Sequence, residues 1–303
     1  MPDRSRPWFA CVLVAIGVAI GSLRAQENPP RHGSQAGPSS PSPPDAKQPA
    51  DKQKEEKLAF FRERLEPLRL VTAASPDKPL RFVPEPLVTF ENPVSQMWDG
   101  YMFVWTDRGR PAAALKCYYH SLNKRWGRTF VSLATERIEL NSDGKRLWTP
   151  EGAGLSFAPL PDGPPVAADA RRRLTQMRDI ARRFEMVDQW GLKDPTEWRL
   201  RLLPAPLYRY EVADEAVDGA LFGYVVNSPE ALVLIEARRT EAGLAWHYAV
   251  ARFTRFAVAA MLDGKQIADF PRLEAWPPTG VYFHDPVEIP DYPYARQADE
   301  TQK

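Results

Sequence analysis

With 303 residues, 44% of them hydrophobic, and a formal net charge of +1 at pH 7, the chain offers no electrostatic basis for recognising nucleic acid or anionic lipid. Of its two cysteines only Cys117 lies beyond the N-terminal leader described next, which excludes an intramolecular disulfide framework in the processed chain. Stability must therefore come from apolar cores, and about 250 orderable residues suffice for one large domain or two of ordinary size.

Arg4 and Arg6, an apolar run from Phe9 to Leu23 and a small-residue site at Ala25 form the pattern of a cleavable secretory signal over residues 1–25. The run is shorter than the roughly 20 apolar residues that cross a bilayer. Export to the periplasm, cell envelope or extracellular space is the expectation, with no stable membrane span in the mature chain. Residues 26–50 hold seven prolines among Ser, Gln and Gly and nothing that can bury surface, and they read as a disordered tether.

Leu58, Phe61 and Leu65 then make a helical stripe that Pro67 ends. Tyr101, Phe103 and Trp105 alternate with Met102, Val104 and Thr106, which predicts a strand. Asp107-Arg108-Gly109-Arg110 supplies a turn, and a second strand runs over 112–119. A longer strand is expected over 129–140, followed by an Asp143-Gly144 turn and a last short strand near Phe157. The apolar positions Ala170, Leu174, Met177, Ile180, Ala181, Phe184 and Val187 predict an amphipathic helix, with Arg171, Arg172, Arg178, Arg182 and Arg183 on its solvated face. Strands over 221–226 and 231–238 flank a turn at Asn227-Ser228-Pro229; a third over 246–258 precedes an Asp263-Gly264 turn, and a final strand lies near Phe283.

The second series repeats the first. Leu80 to Phe90 aligns with Leu200 to Tyr210 at an offset of 120. Asp99-Gly100, Phe103 and Trp105 meet Asp218-Gly219, Phe222 and Tyr224 at 119; Trp126 meets Trp246 at 120. The expected fold class is α+β: two tandem duplicated lobes, 51–165 and 166–290, each an antiparallel sheet of about five strands with a preceding amphipathic helix, then a flexible tail over 291–303. The segments Phe103-Val104-Trp105-Thr106-Asp107-Arg108-Gly109-Arg110-Pro111 and Leu202 to Tyr210 resemble those of an uncharacterised group of exported planctomycete bacterial proteins. The likeness spans roughly 55–285 and implies the domain limits and a bacterial source, with no activity attached.

A duplicated fold brings equivalent positions toward its pseudo-twofold axis, which makes Asp99 and Asp218 candidate binding residues. The commoner role of Asp-Gly before a strand is a turn. His247 is a third candidate, because it shares a strand face with Ala249, Ala251 and Phe253. His120 falls on the face of Lys116 and Tyr118 and reads as solvated, whereas His284 and Asp285 point to opposite faces. Cys117, between Leu115 and Tyr119, reads as inert core, and Trp105, Trp126 and Trp246 as core rings. The chain lacks His-x-x-x-His, Cys-x-x-Cys, Gly-x-Ser-x-Gly, a P-loop and a dinucleotide glycine motif. No catalytic residue, metal or cofactor is assigned. The expected function is a non-catalytic exported binding or structural module using the seam between lobes, with an envelope polymer or protein as candidate partner. The alternative is a hydrolase of unfamiliar type acting on such a polymer.

Overall fold

The computed structural model describes residues 48–189, 196–289 and 292–295. The signal and all of the tether before Gln48 lie outside the described residues. The first half contains α1 (Gln48–Leu65), β1 (Leu68–Thr72), β2 (Arg81–Asn92), β3 (Met97–Asp107), β4 (Arg110–His120), β5 (Arg125–Ser132), β6 (Ile138–Ser142), β7 (Lys145–Trp148) and β8 (Ala158–Pro159). The second contains α2 (Ala170–Ala181), β9 (Phe184–Gln189), β10 (Glu197–Arg199), β11 (Arg201–Leu202), β12 (Tyr208–Val212), β13 (Ala216–Val225), β14 (Pro229–Thr240), β15 (Gly243–Arg252), β16 (Ala257–Leu262), β17 (Lys265–Phe270) and β18 (Tyr282–Glu288).

The class is α+β and mainly β. Each half carries two sheets, where a single sheet of about five strands was expected. A five-stranded sheet runs β18-β5-β4-β3-β2, and a six-stranded sheet runs β8-β15-β14-β13 with β11 and β12 both paired to β13. Smaller sheets run β1-β6-β7 and β10-β9-β16-β17. The expected strands over 129–140 and 246–258 are each divided between a large sheet and a small one. The halves also exchange their last strands: β8 pairs with β15, and β18 pairs with β5. The boundary near residue 165 is thus crossed by backbone hydrogen bonding in both directions.

Three apolar layers follow. Phe61 and Leu65 of α1, with Leu70, Leu140 and Trp148 of the small sheet, cover the outer face of the five-stranded sheet at Tyr101, Phe103, Trp105, Leu115, Cys117 and Tyr119. Met177 and Ile180 of α2, with Met186 and Val258, cover Phe222, Tyr224, Val233 and Trp246 of the six-stranded sheet. Between the two large sheets lie Met102, Val104, Ala114 and Val131 from one and Leu221, Leu232, Leu234 and Ala249 from the other. The central strands are buried on both faces, which is why β3, β4, β13 and β14 show nearly continuous burial. Trp105, 2% exposed, and Cys117, fully buried with its thiol pushed up to about 12 by burial, are the core residues expected.

The helix expected to reach Val187 stops at Ala181, and Phe184–Gln189 is a strand with alternating burial. Asp169 caps α2 by accepting the Arg172 N–H. The Asp143-Gly144 and Asp263-Gly264 hairpin turns form as expected, all four residues having positive φ. Tyr292, in the segment expected to be a flexible tail, is 4% exposed and packs against Phe60, Phe61 and Tyr119.

Candidate functional site

The three residues singled out from the sequence do not meet in one site. Asp99-Gly100 and Asp218-Gly219 lie inside β3 and β13, at shifts of strand register, and not in turns before those strands. The Asp99 carboxylate pairs with Lys57 Nζ of α1 at 2.8 Å and accepts a hydrogen bond from Tyr292. Asp218, 1% exposed, accepts from Arg173 Nε of α2 at 2.8 Å and from Arg209 Nε and Nη2 at 2.8 and 2.6 Å. Both carboxylates therefore dock the helix that precedes their sheet. Arg173, which is not among the arginines expected on the solvated face of α2, is buried. The glycines make room for an aromatic ring from the neighbouring strand: a Cβ would come within 2.5 Å of Phe90 at Gly100 and within 2.6 Å of Tyr210 at Gly219. His247 is half-buried on β15, opposite Glu236 and Pro159, with Nδ1 3.4 Å from the Ala245 carbonyl.

The seam between the large sheets is polar at both ends. At one end Arg110 of β4 donates through Nε to Glu236 Oε1 (2.7 Å) and through Nη2 to Oε2 (3.0 Å), with Glu236 fully buried on β14. Tyr210 also donates to Glu236 at 3.0 Å, and Glu215 lies 2.9 Å from Arg110. Phe157 closes this end beneath the Arg110 and Arg238 guanidinium groups. Burial works against the Arg110 charge, but the two carboxylates more than offset it and raise its pKa.

At the other end the sheets part around a cavity of about 320 Å³. Its floor is one face of the five-stranded sheet: Lys116, Tyr118 and His120 from β4, Thr129 from β5, Tyr282 and His284 from β18. Alternation along β4 places the first three on a common face, as the sequence indicates. That face is covered at Lys116, and Tyr118 and His120 are half-buried. Lys116 is 7% exposed, because the β13–β14 turn and the chain after β15 lie over it.

Lys116 Nζ donates to Ser228 Oγ at 3.2 Å and to the Pro229 carbonyl at 2.8 Å, and sits 4.6 Å from the centre of the Phe253 ring. Ser228 Oγ in turn donates to Glu230 Oε1 at 3.0 Å, so a hydroxyl bridges ammonium and carboxylate. Glu230 also accepts the N–H groups of Val226 (2.8 Å) and Ser228 (3.3 Å). Burial pulls Lys116 down to about 8, with Glu230 and Asp188 opposing it; burial also raises Glu230, against Lys116 and its hydrogen bonds. His284 Nδ1 lies 3.0 Å from Thr129 Oγ1. Its pKa falls to about 4, chiefly through burial; Asp285 opposes this, and the positive charges of Arg255 and Lys116 add to it. His284 is therefore a neutral imidazole at pH 7.

The rim is built by Arg252, a 5% exposed guanidinium that donates to the carbonyls of Thr254 (2.9 Å), Phe256 (2.6 Å) and Pro271 (2.7 Å). These bonds fix the segment carrying Arg255 and Phe256. Arg255 stacks over Phe256 and Trp276, with its guanidinium 5.1 and 5.5 Å from the ring centres. The Trp276 ring meets His284 edge-on at 5.9 Å. The cavity thus combines a buried ammonium, several hydroxyls and a neutral imidazole with aromatic walls, the composition of a small-molecule site. The hydroxyl of Ser228 is engaged with Glu230 rather than an imidazole, and Glu230 accepts from three donors.

Sequence reading placed Lys116, Tyr118 and His120 together and recognised the Asn227-Ser228-Pro229 turn. It missed Glu230, Arg252, Arg255 and Trp276, whose proximity to β4 is set entirely by packing between the halves. No protein-family model matches the chain, and neither a curated protein nor a solved structure does.

Proposed function

We propose that this protein is an exported, non-catalytic binding module built from two duplicated lobes, and that the cavity at the Lys116 end of the seam is its ligand site. The observation carrying this reading is Lys116 itself: a buried ammonium on the wall of an open cavity, whose acceptors within 3.2 Å are the neutral Ser228 hydroxyl and Pro229 carbonyl. Isolated charge in a protein interior is expensive, and sites that retain it without a direct counter-ion are commonly functional.

Duplication gains support from the strand registers. They place Tyr118 equivalently to Glu236 and Pro111 equivalently to Pro229, so the two ends of the seam are equivalent places lined by different residues. Phe90 corresponds to Tyr210, each opposite the glycine of its Asp-Gly pair. The strand registers place Phe157 and His284 equivalently, each two residues before the proline of its exchanged strand. One end is filled by Phe157 and a direct bidentate ion pair. The other keeps the same positions open as a cavity, which supports specialisation of one copy for binding and the other for stability.

Exposing the 15N-labelled protein to phenol, benzamide, benzoate and benzylamine tests the site. At least one of these single-ring probes is expected to give saturable amide shifts at Lys116, Thr129, Ser228 and His284. Shifts confined to other surfaces, such as the groove lined by Leu58, Pro86 and Asp99, or no saturable shift with any probe, would overturn the assignment.

A further inference from the structure

Two cations line the cavity of the proposed binding site, Lys116 on the floor and Arg255 at the exposed rim. Among the described residues no carboxylate forms a salt bridge with either one. Glu230, the one carboxylate lining the cavity, is turned into the Val226–Ser228 backbone and already accepts three hydrogen bonds. The fields of both cations overlap inside the space, since both lower the pKa of the His284 imidazole. The site therefore offers positive potential together with a spare donor, the Tyr118 hydroxyl, and, among the described residues lining it, no free anion of its own.

Much of the remaining wall is aromatic. Phe90, Phe253, Phe256 and Trp276 contribute rings, and the Arg255 guanidinium already lies across two of them. A planar ring suits such a wall, because aromatic and guanidinium faces both stack with π-systems. A single buried ammonium balances one negative charge; a dianion would leave the second charge dependent on an exposed guanidinium. A cavity of about 320 Å³ is at the small end for a ligand pocket.

Resting on the binding reading above, we infer that the ligand is a compact aromatic carboxylate, its carboxylate meeting Lys116 and its ring held against the aromatic side of the cavity. Lys116 can release the Pro229 carbonyl or share its third proton without moving the backbone, so the ion pair forms inside a preorganised shell.

The test uses calorimetry with benzoate, its neutral analogue benzamide, the cationic benzylamine and inorganic phosphate, on the wild-type protein and on Lys116→Met. Benzoate is expected to bind the wild type at least about 10-fold tighter than benzamide, as a charge-assisted hydrogen bond replaces a neutral one. Lys116→Met should lose about 30-fold in benzoate affinity and leave benzamide nearly unchanged, with the variant's fold checked by its near-UV circular dichroism. Arg255→Gln should weaken benzoate a few-fold, as expected for an exposed charge. Equal affinity for benzoate and benzamide, or preference for benzylamine or phosphate, would overturn the ligand class while leaving the cavity a binding site. Failure of all four probes to bind would overturn the ligand class, and it would defeat the binding reading as well if phenol also gives no saturable shift.

Discussion

Glu236→Ala is expected to lower the stability of the protein by about 3–5 kcal/mol, the largest loss anticipated for a single polar side chain here. Glu236 is fully buried and takes two hydrogen bonds from Arg110 and one from Tyr210, with Arg238 Nε 3.6 Å away. Removing it strands the Tyr210 hydroxyl and leaves the 7% exposed Arg110 with only Glu215, itself partly solvated, as counter-ion. The desolvation penalty of the arginine then remains while its best partner is gone. Glu236→Gln, which keeps an acceptor for Tyr210, should lose less. Urea denaturation of the three proteins at pH 7 checks the order. Equal midpoints for wild type and Glu236→Ala would show that this end of the seam does not hold the halves together.

Lys116→Met is expected to act in the opposite sense and stabilise the protein. Charging Lys116 is disfavoured by a shift from 10.5 to about 8, which corresponds to about 3 kcal/mol at neutral pH. The neutral methionine escapes that penalty and forfeits hydrogen bonds worth about 1 kcal/mol net, leaving a gain of about 2 kcal/mol. The sign of the pH dependence follows from linkage. Between pH 8 and 10.5 the unfolded chain binds more protons at this lysine than the folded one, so its contribution to stability rises with pH over that window. Below pH 8 the lysine is charged in both states and the penalty is complete. The advantage of Lys116→Met should therefore be full at pH 7 and shrink as pH climbs from 8 toward 10.5, measured as the difference in denaturation free energy between the two proteins at each pH. A variant less stable than wild type at pH 7 would mean that Lys116 is a net structural contributor, as Arg110 is.

The stability difference between the two ends of the seam is the physical basis for assigning them different roles. A direct, bidentate, fully buried ion pair with a phenylalanine beneath it leaves no room for a ligand. A lysine linked to its carboxylate only through a hydroxyl, beside open space, carries an electrostatic penalty that an incoming anion would relieve. Proteins commonly tolerate such local penalties where binding requires them.

Much of the framework was legible because it depends on local pattern. Alternation identified β3, β4, β13 and β14, and Asp-Gly pairs marked two hairpins whose residues take positive φ. Local pattern also misled at particular residues. Met177, Ile180, Phe184 and Val187 are spaced three or four apart, so helical periodicity runs through the Arg182-Arg183 turn by coincidence. The period of two in Phe184, Met186 and Asp188, all buried, was present but overlaid by it. Asp99 and Asp218 read as turn residues because their cationic partners, Lys57 and Arg173, come from helices more than 40 positions away. His120 reads as solvated, although Lys116 on the same face is buried, because a strand's own alternation distinguishes its faces without revealing what covers each one. Here the cover is the turn at Ser228, 112 residues further along, and no periodicity within β4 encodes its arrival.

The most direct test of the central assignment is an NMR titration of the Lys116 ammonium through its side-chain 15N resonance, in the free protein and in saturating benzoate. A buried ammonium awaiting an anion should titrate near pH 8 when free, and its midpoint should move upward with benzoate present, since the carboxylate favours the charged form. The same midpoint in both conditions would contradict the assignment of this cavity as the carboxylate site.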